Sequence, residues 1–134
     1  MPFTTAELAY LSSQTLGRLA TVGADGVVQV NPVGFRILAD GAVVIGGYAM
    51  AKTHKFRNVA ETGRAALVVD DIRSRDPWEV RGIEIRGPAE AVTVDEPPIG
   101  GTTADVIRIT PETVFTWGLE PGAAGMTRRR EPAS

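Results

Sequence analysis

The sequence contains no cysteine and a single histidine, His54, in 134 residues. The first absence removes disulfides, thiolate nucleophiles and cysteine-ligated metals together, and it accords with a reducing compartment. The second removes any metal site built from several imidazoles. Long apolar runs are missing too. No stretch approaches the ~20 residues needed to cross a bilayer, and the opening MPFTTAELAYL has neither the basic start nor the apolar core of a secretory signal. The expectation is a cytoplasmic protein with no membrane partner. Neither sign of charge is in real excess: 14 Lys and Arg against 16 Asp and Glu leave a formal net charge of −2. The chain as a whole therefore has no electrostatic pull toward nucleic acid, and a basic site must be local.

What is present has the balance of a globular domain, with 43% hydrophobic and 22% charged residues. A chain of 134 residues can build one core but not two. We expect one domain over residues 1–126 and a flexible tail over 127–134, where Arg128, Arg129 and Arg130 form a run too short to hold nucleic acid on an acidic protein. Thr4-Thr5-Ala6-Glu7 has the form of a capping box, and Leu8, Leu11 and then Leu16 continue at roughly helical spacing. The period then changes. Leu16 to Val22 and Val27 to Val30 are strand-like segments joined through Asp25-Gly26, and Phe35 to Ala39 and Ala42 to Ile45 repeat the pattern around Asp40-Gly41. A helix is expected from Thr53 to Thr62, with Phe56, Val59 and Ala60 on one apolar face, then a strand from Ala65 to Val69. Trp78 to Val92 alternates in part, with Gly82 and Gly87 read as bulges or bends. Asp95 to Thr103 reads as a loop, and Asp105 to Thr110 and Thr113 to Trp117 as closing strands. Six or seven short strands with two helices describe a mainly β fold, a small antiparallel barrel with peripheral helices.

The stretch GGYAMAKTHKFRNV carries the chemistry. Lys52, His54, Lys55 and Arg57 crowd the start of the expected helix, where the partial positive charge of the backbone favours acids, while Glu61 sits at the end that favours bases. Two readings stand: a receptor for a phosphate, held by lysines and free N–H groups, or a solvated helix face. Placement against the dipole favours the first. Gly46-Gly47 lets a flat ligand or a close backbone lie against the preceding strand, or is a plain turn. Neither a phosphate loop nor a dinucleotide fingerprint is present. Asp70-Asp71 reads as the end of a strand, Glu79 and Glu84 as water-facing, Ser12, Ser13 and Ser74 lack a histidine partner other than His54, and Trp78 and Trp117 read as core or rim aromatics. An enzyme of this composition needs a cofactor for its chemistry.

The order of LGRLATVGADGVVQVNPVGF, KTHKFRNV, GIEIRGPAEA and IRITPETVFTWGL resembles the pyridoxamine 5'-phosphate oxidase-like split-barrel flavoproteins over nearly the whole chain. It is most similar to their coenzyme F420-dependent branch, in the subgroup that holds the reductases of late tetracycline biosynthesis and mycobacterial homologues. The resemblance implies a six-stranded antiparallel split β-barrel and a homodimer with composite cofactor sites. It implies that Lys52, His54 and Lys55, with Arg57 nearby, hold the cofactor phosphate; flavin-binding relatives commonly carry arginine where this chain has His54. It implies that Asn31, Pro32 and Val33, together with Ile45, Gly46 and Gly47, line the ring system, and that Trp78 reaches across the dimer. The implied activity is hydride transfer from reduced F420 to a conjugated double bond or quinone-like small-molecule acceptor. FMN is the alternative cofactor, and a non-catalytic flavin or deazaflavin carrier the alternative role.

Overall fold

The computed structural model describes residues 1–120 and, as backbone, 126–130. The chain opens with α1 (Thr5–Ser13), whose start is a complete capping box. Thr4 Oγ1 accepts from Glu7 N–H at 3.1 Å, and Glu7 Oε1 accepts from Thr4 N–H at 2.9 Å. The helix stops at Ser13, because Gln14 turns extended, and Leu16 is left exposed ahead of the first strand.

The strands β1 (Gly17–Val22), β2 (Val28–Ile37) and β3 (Val43–Gly46) follow, then a 3-10 turn (Met50–Lys52) and α2 (His54–Thr62). The long pair β4 (Arg64–Arg75) and β5 (Trp78–Thr93) comes next, and β6 (Asp105–Ile109), β7 (Thr113–Trp117) and β8 (Met126–Arg130) complete the order. Hydrogen bonding runs β4-β1-β2-β3-β6-β5, and β5 pairs back onto β4, so six antiparallel strands close into a barrel with no free edge. Outside the ring β7 adds to β5 and β8 to β7. Leu19, Ile45, Leu67, Ile83, Ile85 and Ile107 are fully buried inside it.

Several expectations are corrected here. The two segments Val27 to Val30 and Phe35 to Ala39 belong to one strand, because β2 changes partner midway: Val28 to Val33 pairs with β1, and Gly34 to Ile37 with β3. Pro32 is tolerated inside this strand because β3 does not begin until the Gly34 register, so no ladder bond is lost on that side. Asp70-Asp71 does not end a strand. β4 runs on to Arg75 because Asp70 pairs with Arg18 at 2.9 Å and Asp71 with Arg81 at 2.8 Å. The one register shift in the β4–β5 pair lies between Ile72 and Ser74, not at Gly82 or Gly87. Gly87 instead permits a crossing, since a Cβ there would stand 1.9 Å from Thr110 O, where the β6–β7 turn passes over β5. Met126–Arg130, expected to begin a flexible tail at residue 127, pairs with β7 through the open ladder groups that β7 presents.

Candidate functional site

Thr53 caps α2: its Oγ1 accepts from Phe56 N–H at 3.2 Å and donates to Met50 O at 2.7 Å, which also ties the helix to the preceding turn. Val59 is buried, and Gly63 ends the helix in the left-handed region at φ 71°. One polar face of α2 is fastened to the β1–β2 hairpin. Asn58 Nδ2 donates to Thr21 Oγ1 at 3.1 Å and to Gln29 Oε1 at 3.4 Å, Thr62 Oγ1 to Val22 O at 3.1 Å, and Ala24 N–H to Glu61 Oε2 at 3.3 Å. Glu61, which opposes the helix dipole, is thus spent on the hairpin turn. Between helix and hairpin lies a polar cleft of about 310 Å³ lined by Asp25, Val27, Val28, Gln29, His54 and Asn58.

Lys52, His54 and Arg57 are exposed and Lys55 is half-buried. Among the described residues none of these four enters an ion pair, so their charges are uncompensated at a helix start. The geometry does not bring all four together. His54 and Asn58, four apart, share the cleft face, whereas Lys55 and Arg57, two apart, leave the axis about 200° from one another. His54 lines the cleft together with the acid Asp25, and Phe56 N–H at the helix start is already taken by Thr53 Oγ1.

The other expected residues divide. Val33 and Ile45 are core residues, 5% and 0% exposed, so only their backbone can meet a ligand. Pro32 is exposed on the outer face, and Gly46 and Gly47 lie under Thr102 and Met50 respectively. Asn31 faces inward on β2, opposite Leu19, and its Oδ1 is buried without a donor. Such an acceptor fits the ring N–H of a flavin-type group, and the uncompensated helix start fits its phosphate. Trp78 is 64% exposed and stands at the opposite end of β5 from Ala89, whose N–H donates to Gly63 O beside α2. Eleven residues of strand span about 35 Å, so Trp78 is remote from the α2 of its own chain.

Sequence reasoning passed over Asn58; Tyr48, Ile99 and Thr102 fall in the loops Gly47 to Ala51 and Asp95 to Thr103, which were expected to border a substrate pocket without any one residue being singled out. The spacing of Asn58 from His54 was a usable signal. Nothing in the residue order announces that Ile99 and Thr102 fold back onto Gly46. A further cluster, Tyr10 with Asp71 and Arg81, joins α1 to the β4–β5 pair.

The chain is 45% identical, over 127 residues, to the 5a,11a-dehydrotetracycline/5a,11a-dehydrooxytetracycline reductase of Streptomyces rimosus, covering 90% of this chain and 86% of that one. Among solved structures it superposes on the heme binding protein from Mycobacterium smegmatis with a TM-score of 0.68 at 20% identity, over 97% of this chain and 59% of that one. The FAD binding protein from the same organism gives 0.60 at 19% identity, over 96% and 98%. These two likenesses speak for the fold alone. The pyridoxamine 5'-phosphate oxidase family matches residues 3–118. A closed six-stranded barrel with its helix-start site, and a family match that spans both, agree: this chain belongs to the pyridoxamine 5'-phosphate oxidase family.

Proposed function

We propose that this protein is an F420H2-dependent reductase that delivers hydride to a conjugated double bond of a fused-ring or quinone-like acceptor. The observation that carries the reading is the 45% identity, over 90% of the chain, to a relative named as a dehydrotetracycline reductase. Reduced deazaflavin supplies the hydride when bound. The chain's share is to hold and orient. Lys52, His54 and Lys55, with Arg57 nearby, bind the phosphate. Asn31 and the backbone at Pro32, Val33, Ile45, Gly46 and Gly47 bound the ring.

The reading includes a homodimer. Val28 and Val30 are 72% and 65% exposed at one end of the outer face, and Ile72, Trp78 and Val80 are exposed at the other end of the β4–β5 pair, beyond the Arg18–Asp70 ion pair. At the Val28 end a groove of about 310 Å³ is lined by Ala20, Val22, Val28 and Ala66, with Arg64 and Arg86. These exposed apolar residues fit a second copy, whose Trp78 then completes the site that the chain's own Trp78 is too distant to reach.

Titration with F420 and, separately, FMN, followed by fluorescence, tests the reading. Saturable F420 binding that weakens at least tenfold in Lys52→Ala/Lys55→Ala supports it, since a charge-assisted bond contributes about 1.5–3 kcal/mol. Preference for FMN transfers the function to a flavin oxidoreductase. Tight binding without turnover of any acceptor leaves a cofactor carrier.

A further inference from the structure

The segment joining β5 to β6 is laid across the outside of the barrel. Val94 N–H donates to Ala104 O at 2.9 Å and closes its base, while Thr103 N–H reaches Gly47 O at 2.9 Å and Arg36 Nη1 reaches Pro98 O at 2.5 Å. Between these anchors Ile99 is set down on two glycines. Gly34 and Gly46 pair directly across β2 and β3. A Cβ on Gly34 would stand 3.7 Å from Ile99 Cδ1, and one on Gly46 3.4 Å from the same atom and 3.2 Å from Thr102 Oγ1. Two facing residues without Cβ atoms make a flat backbone floor, the surface on which a planar ring gains contact over its whole face.

The cover is a tight turn. Thr102 N–H and Oγ1 both donate to Ile99 O, at 3.3 and 2.6 Å, forming a tight turn around Gly100 and Gly101. Gly100 has open space around it, and Gly101 holds φ +82°. The bonds at Pro98 O and Thr103 N–H are separate from those that Thr102 makes to Ile99 O. Tyr48, 85% exposed, flanks the turn, with its Cε1 3.8 Å from where a Gly101 Cβ would be.

We propose that Ile99 is a removable plug on a planar-ring slot floored by Gly34 and Gly46 and walled by Tyr48, so that the size of residue 99 sets the affinity for a flat fused ring. The inference rests on the reading of the Gly46 edge as part of a flavin-type site. Wild type, Ile99→Ala and Gly34→Ala are titrated as full chains with F420 and with FMN, and thermal unfolding of each is recorded without ligand. Ile99→Ala leaves less apolar surface to expose on displacement and is expected to tighten ring binding about three- to tenfold. The methyl of Gly34→Ala fits beneath Ile99 in ordinary van der Waals contact, so unfolding is unchanged. The same methyl raises the floor under an incoming ring, and binding weakens at least tenfold.

If both variants bind like wild type, or if Ile99→Ala weakens binding, Ile99 is a fixed cover or a ligand contact and the plug is overturned while the functional reading stands. Gly34→Ala keeps the question decidable should Ile99→Ala disturb the loop. Failure of the wild type to bind either cofactor overturns the functional reading and the plug with it.

Discussion

Tyr10 is 5% exposed, and its hydroxyl donates to Asp71 Oδ1 at 2.8 Å, while Arg81 grips both oxygens of Asp71 at 2.8 and 3.0 Å and lies over the Tyr10 ring. Burial, and then the Asp71 bond, push the Tyr10 phenol well above its ordinary value of 10.0. The Arg81 bonds hold the Asp71 carboxyl below 3.8. The signs follow from linkage. The Tyr10 contribution is complete below pH 10.0 and is lost as pH rises toward the raised value in the fold. The Asp71 contribution is complete above 3.8 and is lost as pH falls through the depressed value. Tyr10→Phe is expected to cost about 1 kcal/mol at neutral pH, read from urea midpoints, and the difference from wild type should shrink above pH 10.0. At the helix start the prediction has the opposite sign. Lys52→Ala/Lys55→Ala should leave ligand-free stability equal or higher by a few tenths of a kcal/mol, because each removed charge opposes the dipole. A clear fall in its melting temperature would mean that these lysines are structural.

At the scale of elements, α2 matters through how it is fastened. Asn58→Ala strips the bonds to Thr21 and Gln29 and leaves Thr21, 3% exposed, with one partner fewer. The expected cost is about 1–3 kcal/mol. Hydrogen exchange should report that loss first in α2 and the β1–β2 turn; uniform loss across the barrel would deny the fastening role. The crossing at Gly87 sets a harsher test. The atom its Cβ would strike is backbone, at 1.9 Å, and cannot rotate away. Gly87→Ala is therefore expected to cost more than ~3 kcal/mol or to prevent folding, and a variant with unchanged melting would show that the β6–β7 turn can yield.

For the whole molecule, the proposed dimer sets the outer face of one copy against another. Val28→Asp/Val30→Asp places two carboxylates on a face that is already exposed in one copy, so the single barrel keeps its core. Sedimentation is expected to show a dimer for wild type and a monomer for the variant, and the monomer should bind F420 poorly because the partner's Trp78 is lost. A wild type that sediments as a monomer removes the composite site. Among the described residues no helix is long and apolar enough to cross a membrane.

Much of this molecule was legible in residue order because the signals involved are local. A capping box needs Thr4 and Glu7 only, a hairpin needs Asp40-Gly41 between two strand-like runs, and a cationic helix start needs four residues within six positions. These determined the class of fold and raised the expectation of an anion site at the helix start. What the order of residues left open depends on partners far away in the chain. That Asp71 continues a strand was decided by Arg81 and Tyr10, and that Gly87 is a crossing was decided by Thr110. That Lys55 and Arg57 diverge follows once the helix is wound, and that Ile99 lies on Gly34 and Gly46 required a loop to fold back over strands laid down more than fifty residues earlier. Sequence alone determined the local preferences; the closure of the barrel determined which distant atoms satisfy them, because only closure brings those atoms within bonding reach.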